Sequence, residues 1–471
     1  MAAHPVTRMI SPSTWAMIED KFSDFGKETL AKVVDFVEYE VTPAEGIYHA
    51  QISKDPSQRW KSIPPILADL QSKAKSLGLW NLFLSKAHYP DHGVPLTNLE
   101  YAVMAEILGR TGHLGPQATN TSAPDTGNME VFARYGTDEQ KKQWLEPLLR
   151  GEIRSAFAMT EKGVASSDAT NIQTSLRKDG NEIVISGRKW WISGAGDPRC
   201  KVHLVMGKSD PDNSNKHRQQ SIVWIPADAP GVTIVRPMQV FGYDDAPEGH
   251  MEVLYDNVRV PESNLIAGWG RGFEVIQGRL GPGRIHHCMR AIGIGQRALD
   301  LMITRVTDLE RKTFGKHLYE HGTIVSGIAK SRMQIDQGRL LVLTAAHQID
   351  KGQQGSITAP TDGSQYLMTV RAKGAMKDIG MAKVVVPAMV GEVLDRTMQA
   401  YGAEGICQDT YLAQAWAGVR TLRYADGPDE VHTLQIGIME LKRAKDLHER
   451  LAKVIEAEES LAKKHGIKHH L

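Results

Sequence analysis

The stretch TNIQTSLRKDGNEIVISGRKWWIS, residues 170–193, decides the architecture. Its apolar and polar residues alternate, as in a strand with one buried face, and Asp179-Gly180 sits at its centre. A Gly-containing turn between two alternating runs predicts a β-hairpin. Trp190 and Trp191 end the second run. Adjacent strand residues point to opposite faces, so one of the two rings must be exposed or lie against a ligand.

Short β-rich runs follow: KVHLVMG (201–207), SIVWIPA (221–227), GVTIVRPM (231–238) and HMEVLYDNVRV (250–260). Between the first two, SDPDNSNKHRQQS (209–221) is a solvated loop by composition. Residues 153–271 therefore read as a central antiparallel β domain.

On either side the period changes. KETLAKVVDFVEYEV (27–41) and ILADLQSKAKSLGLW (66–80) place apolar residues at three- and four-residue spacing. GTDEQKKQWLEPLLRGE (136–152) carries a capping pair, Thr137 and Gln140, and a stop at Gly151. These mark a helical domain over 1–152. From Gly272 the helical period returns and holds nearly to residue 471, giving a C-terminal helical domain over 272–471. DKGQQGSITAPTDGSQ (350–365) is its main interruption and suits a surface connection. AKDLHERLAKVIEAEESLAKK (444–464) predicts a charged, solvated amphipathic helix. The fold class expected is α+β, helices then a β unit then long helices, with no internal repeat.

The totals agree with a soluble globular protein of two or three domains. The chain has 471 residues, 41% hydrophobic and 24% charged, with net charge +1. No global field recruits nucleic acid or an anionic membrane. No apolar run reaches the ~18 residues of a membrane span. The three cysteines, Cys200, Cys288 and Cys407, form neither a zinc pattern nor a disulfide framework, which favours a reducing compartment. The N-terminus lacks the apolar core of a secretory signal and makes a poor mitochondrial presequence. The terminal KHHL has a basic residue before Leu but lacks the small residue of a peroxisomal signal. Mitochondrial, peroxisomal and cytoplasmic locations all stay open.

Several motifs have plain structural readings. GIGQRA (293–298) fits a loose GxGxxA, but the preceding GRIHHCMRAI reads as helix, so its glycines serve helix packing. His286 and His287 are adjacent and face different sides of a helix, which suits capping or packing rather than a metal. GPGR (281–284) should open a helix with Arg284 in its first turn. There Arg284 would oppose the dipole, leaving a surface charge and anion or substrate recognition both open. RYADGPDEVH (423–432) groups three acids and a histidine around a Gly-Pro turn, without the spacing of an EF-hand. No metal site is expected.

Four stretches together resemble the acyl-CoA dehydrogenase family: AFAMTEKGVASSD (156–168), GRKWWISGAG (187–196), ERKTFGK (310–316) and QAYGAEGI (399–406). The likeness runs from about residue 30 to about 450, in the family's order. RLGPGRIHHCMR (279–290) with ADGPDEVH (425–432) is most similar to the branch that in animals is fused to a phosphotransferase-like domain, for which this chain leaves no room. The resemblance implies a helical N-terminal domain, a β-barrel-like middle domain and a C-terminal four-helix domain. It implies FAD as cofactor, an acyl-CoA substrate, and a homodimer or homotetramer.

Residue by residue, the resemblance places Phe157, Met159 and Thr160 along the flavin ring, flanked by Trp191, Ile192 and Ser193. It places Ser166 and Ser167 near the pyrophosphate or thioester, with Ser166 also a substrate contact. Arg311, Thr313, Phe314 and the Gln399, Gly402, Ala403 loop would reach FAD in a neighbouring subunit. Asp426 stands where most members carry a glutamate base, Gly427 would admit the flavin, and Pro428 replaces a threonine. Glu430 falls at a position serving the adenine side, and Asp429 is expected to be solvated. Arg284 would lie near the CoA and acyl carbonyl. The base position used by some other members falls on Gly283, which cannot act.

The implied reaction is α,β-desaturation of an acyl thioester, with electrons passed to electron-transferring flavoprotein or to oxygen. An aspartate base also fits a nitroalkane oxidase of the same fold. A flavin-containing nucleic-acid-binding protein is the rival from another class, disfavoured by the balanced charge.

Overall fold

The computed structural model describes residues 3–353 and 368–467. The sheet strands are β1 (Arg154–Ala158), β2 (Ser175–Asp179), β3 (Glu182–Ser193), β4 (Cys200–Lys208), β5 (Gln220–Pro226), β6 (Val232–Pro237), β7 (His250–Pro261) and β8 (Leu265–Ile266). The hairpin of 170–193 forms as β2 and β3. Asp179 pairs with Glu182, so its loop is Gly180-Asn181, one residue later than the Asp-Gly signal suggests. Gly180 takes the left-handed conformation, φ 62°, which costs a glycine little.

The strand order is β6-β7-β3-β2-β4-β5-β8, with β1 on β4. Most pairs are antiparallel; β1–β4 and the single β2–β4 contact are parallel. Alternation reports which face a residue occupies, not strand direction, so the sequence could not show this. The β3–β7 register slips between Lys189 and Ile192. That bulge contains both tryptophans and leaves Trp191 at φ 56° and 38% exposed.

In the N-terminal domain the main helices are α1 (Asp24–Phe36), α2 (Pro65–Ser76), α3 (Asn98–Gly109) and α4 (Asp125–Tyr135). The Thr137–Gln140 capping box forms, and Gly151 ends its helix at φ 73°. In the C-terminal domain they are α5 (Gly272–Val306), α6 (Gly322–Gln353), α7 (Met368–Tyr401), α8 (Tyr411–Thr421), α9 (Asp429–Leu441) and α10 (Ala444–Lys464). Residues 354–367, most of the expected surface connection, lie outside the described residues. Helix α10 is exposed apart from Ala462, so its apolar stripe (Leu447, Leu451, Val454, Leu461) faces outward as well as its charges.

One expectation fails here. The GPGR stretch does not open a helix; α5 begins ten residues before Pro282 and runs straight through it. An interior proline costs about 3 kcal/mol and each glycine about 1 kcal/mol in helix propensity, and packing along α5 outweighs both. Arg284 therefore sits mid-helix, where no terminal dipole acts on it.

Helix α5 is the axis of the molecule, packed on α3, α4, α6 and α7. It approaches α3 backbone to backbone. A Cβ added at Gly293 would lie 1.9 Å from the Glu106 carbonyl oxygen, and one at Gly109 2.4 Å from the Arg290 carbonyl oxygen. GIGQRA is thus a packing motif. Arg339 of α6, 2% exposed, donates to Glu106 of α3 and to Gln296 of α5 and ties the three helices.

Gly293→Val should cost about 2–4 kcal/mol in urea unfolding, because backbone must move to admit the side chain. Gly391→Ala on α7, where an added Cβ meets nothing within 4 Å, should be neutral or stabilising.

Candidate active site

The stretch 423–432 joins α8 to α9. Asp426 (φ 57°) and Gly427 (φ 108°) are successive left-handed residues, so the chain reverses sharply between the helices. Two cations hold the turn by its carbonyls. Arg284 Nε donates to the Asp426 oxygen at 2.8 Å, and Lys383, fully buried on α7, donates to those of Leu422 and Gly427. Gly427 has a second constraint: an added Cβ would stand 2.9 Å from Nε2 of buried His432.

The acids of this turn divide differently from the expectation. Asp429 is buried and accepts from Arg423 Nε at 2.6 Å, while Glu430 is exposed. Asp429 is the first residue of α9, where free N–H groups and the helix dipole favour a carboxylate.

Asp426 points its side chain, 15% exposed, at α5. A Cβ at Gly283 would lie 3.1 Å from Asp426 Oδ2, and His287 Nε2 lies 3.6 Å from the same oxygen. Gly283 and His287 are one helical turn apart on one face. His287 Nδ1 in turn faces Arg290 Nη2 at 3.3 Å. Burial, then the charge of Arg290, push His287 down to about 3. His286 turns away and packs edge-on to Tyr101 and Phe83. The adjacent histidines do face different sides, as expected, but one side is this site.

One turn before Gly283, Arg279 places its guanidinium 4.0 Å from the centre of the Phe157 ring, and its Nε donates to Asn128. Arg279 thus links α5, one turn from Gly283, to the segment 157–160. That segment is clamped to the β3 bulge: Thr160 Oγ1 donates to the Trp190 carbonyl at 2.6 Å, and Trp190 N–H to that of Thr160 at 3.1 Å. Beneath it, fully buried Lys189 donates to the Met159 carbonyl and to Glu161, both at 2.8 Å. Glu161 also accepts from Gln173, Thr174 N–H and Thr174 Oγ1. Burial pushes the Lys189 ammonium down to about 8.

Half-buried Phe157 and Met159, exposed Trp191, and the Thr160 and Ser193 hydroxyls therefore share one region. Ser193 Oγ lies 2.8 Å from His250 Nδ1, and Trp191 stands edge-on to that ring. Ile192 departs from the expectation. It is 1% exposed, so its side chain belongs to the β core and only its backbone faces this region. Ser166 ties its own loop, accepting from Glu161 N–H and donating to the Glu161 carbonyl, and Ser167 is exposed.

The structure does not bring Arg311, Thr313, Phe314, Gln399, Gly402 and Ala403 to this place. They cluster at the far end of α5, where Arg305 pairs with Glu404. Arg305 follows Gly283 by 22 residues on one helix, about 33 Å at 1.5 Å per residue. Phe314 (φ 51°) and Gly315 (φ 76°) form a two-residue turn that leaves Phe314 95% exposed.

Arg290, Arg279, Lys383, Lys189 and Glu161 were not singled out from sequence, and His287 was read only as capping or packing. One signal was available: 279, 283, 287 and 290 repeat at four, four and three, one face of a helix. Among the described residues no group of three or more His, Cys, Asp or Glu is placed to hold a metal, and no helix is long and apolar enough to cross a membrane.

A helical domain, a middle β domain and a C-terminal helical domain in this order define a known class. The N-terminal, middle and C-terminal domain descriptions of acyl-CoA dehydrogenase match residues 23–152, 156–258 and 270–439. The chain belongs to the acyl-CoA dehydrogenase family. It is 50% identical over 421 residues to mouse acyl-CoA dehydrogenase family member 10, covering 89% of this chain and 37% of the mouse protein. It is 50% identical over 382 residues to the Mycobacterium tuberculosis protein named probable acyl-CoA dehydrogenase FadE2, covering 81% of this chain and 87% of that one. A solved acyl-CoA dehydrogenase homologue from Mycobacterium abscessus superposes with TM-score 0.82 at 44% identity, covering 90% of this chain and 99% of the other. The chain spans about half or less of several longer relatives, including 50% of chicken family member 11.

Lys189→Met leaves Glu161 buried and unpaired, and should cost about 3–5 kcal/mol in urea unfolding. Adding Glu161→Gln should recover part of that loss, because both charges are then gone while an acceptor for the Thr174 donors stays.

Proposed function

We propose that the protein is an FAD-dependent acyl-CoA dehydrogenase that desaturates an acyl thioester between Cα and Cβ. The observation that carries this reading is the half-buried Asp426 carboxylate, linked through α5 and Arg279 to the aromatic segment at the β3 bulge. That segment fits a flat cofactor with a polar edge. An exposed Trp191 lies beside half-buried Phe157 and Met159, with the Thr160 and Ser193 hydroxyls adjacent. Aromatic and apolar walls with a few hydrogen-bonding groups are what an isoalloxazine ring requires.

When bound there, FAD supplies the two-electron acceptor for the hydride that leaves Cβ. The protein's own residues do the rest. Asp426 takes the α-proton onto a carboxylate oxygen. Arg284 and Lys383 hold the turn through its carbonyls, so the carboxylate keeps its place while the substrate changes. The Cα–H pair stays on carbon as the new double bond, and the Cβ–H pair leaves with the hydride. Arg284, also half-buried here, is assigned to the CoA and acyl-carbonyl side of the substrate.

The cofactor's far end is assigned to the second cluster, Arg311–Phe314 with Gln399–Ala403, contributed by a neighbouring subunit of a homodimer or homotetramer. Electron-transferring flavoprotein or oxygen reoxidises the cofactor. The deciding experiment is anaerobic mixing of oxidised holoenzyme with a panel of acyl-CoA thioesters and with nitroethane, followed by oxygen. Bleaching by an acyl-CoA supports the proposal; bleaching by nitroethane alone overturns it.

Asp426→Asn should retain FAD and lower the rate of bleaching by about 10²–10⁴-fold. Full reduction at the native rate would remove Asp426 from its role. Gly283→Ala should give an unusual pair of results. Helix propensity improves by up to about 1 kcal/mol, while the added methyl, 3.1 Å from Asp426 Oδ2, displaces the base and slows bleaching about 10-fold or more.

A further inference from the structure

The proposed reaction uses the Asp426 carboxylate alone, yet α5 presents a chain of groups to it. Arg290 Nη2 lies 3.3 Å from His287 Nδ1. A guanidinium can only donate, so Nδ1 must be the accepting nitrogen. A neutral imidazole carries one proton, and it must then sit on Nε2, the atom that faces Asp426 Oδ2 at 3.6 Å. The ring is neutral at working pH because burial and the neighbouring guanidinium push its protonation down to about 3. Arg290 is itself fixed, donating to the Thr121 carbonyl at 3.3 Å. The donor aimed at the base thus has its tautomer set from behind.

The separation of 3.6 Å exceeds a hydrogen bond. Hydrogen bonds in active sites commonly tighten only when substrate is present, and a swing of about 0.5 Å by the carboxylate closes this one. Residue 283, one turn before His287, carries no side chain to crowd the same carboxylate.

We propose that His287 is a positioning residue for the base. Its Nε2–H, oriented by Arg290, aims the short Asp426 carboxylate at the substrate's α-carbon, supplying by a hydrogen bond what a glutamate gains from its additional methylene. This rests on the reading of Asp426 as the base. It also gives the glycine at 283 a purpose: an added Cβ would lie 3.1 Å from Asp426 Oδ2 and crowd the carboxylate that His287 aims.

The test uses holoenzyme of the native chain, His287→Ala, His287→Gln and Asp426→Asn. Glutamine keeps both an acceptor for Arg290 and a donor for Asp426; alanine keeps neither. Two probes separate the steps. The best acyl-CoA of the panel gives the rate constant of flavin reduction and the substrate Kd. A 3-thiaacyl-CoA of matching length can lose its α-proton but has sulfur where the hydride would leave, so the long-wavelength absorbance it produces reports proton removal without reduction.

His287→Ala should bind both probes within about 3-fold of native, yet lose about 10-fold or more in reduction rate and most of the long-wavelength band. His287→Gln should restore both to within about 3-fold. The proposal is overturned if alanine keeps the native rate and band, or if glutamine is as impaired as alanine, which would mark His287 as packing. If Asp426→Asn retains the band, the base assignment has failed and this proposal falls with it. That outcome is read from a different variant and cannot be confused with the first two.

Discussion

The buried ion pair between Arg339 and Glu106 fixes where α5 can lie, and the rest of the molecule is arranged on α5. Such a pair adds little net stability, since desolvating both charges costs nearly what their attraction returns. Its effect is on register. Sliding α6 along α3 by one turn would leave a carboxylate and a guanidinium buried apart, at a cost of several kcal/mol. Gln296 of α5 shares the same guanidinium, and Gly293 and Gly109 let the α5 and α3 backbones touch. Helix α5 is held in translation by the charges and in depth by the glycines.

A helix fixed in this way can act as a ruler. Along one face it carries Arg279 against Phe157, Gly283 under Asp426, and His287 beside the same carboxylate. The aspartate is one methylene shorter than the glutamate that the family resemblance leads one to expect at this position. The structure answers that concern from two sides. The chain bends into successive left-handed residues at 426 and 427, which turns the side chain toward α5, and α5 offers no side chain at the point of contact. The short carboxylate at 426 and the glycine at 283 are complementary features of one geometry.

The fold was largely legible because it rests on period. Alternation over 170–193 and three- and four-residue spacing on either side survive in the structure, as do the Thr137 cap and the Gly151 stop. What failed was local punctuation under tertiary override. GPGR carries three residues unfavourable to helix, yet α5 passes through them because both of its ends are packed. The parallel pairing of β1 was invisible because direction leaves no trace in alternation. In the site, the motif residues 157–160 and 426–427 could be named, but not the groups that hold them. Lys189, Glu161 and Lys383 act through contacts far apart in sequence. Ile192 shows the converse: it lies within a recognisable motif, but the pleat turns its side chain into the core.

The length of α5 also sets a condition on assembly under the proposed function. The base turn lies against its N-terminal third, at Gly283, while Phe314 and the 399–403 loop lie beyond its C-terminal end, about 33 Å from Gly283. No bend in a helix pinned by Glu106 and Arg339 brings those two groups together within one chain. If both serve one cofactor, a second copy must bring its far end to the first copy's base. The exposed ring of Phe314 is consistent with that, since an unpartnered aromatic at a rigid two-residue turn costs solvation with no return inside the monomer. Each chain would then carry two half-sites, one at each end of the same ruler, and the spacing between them would fix the distance between neighbouring subunits.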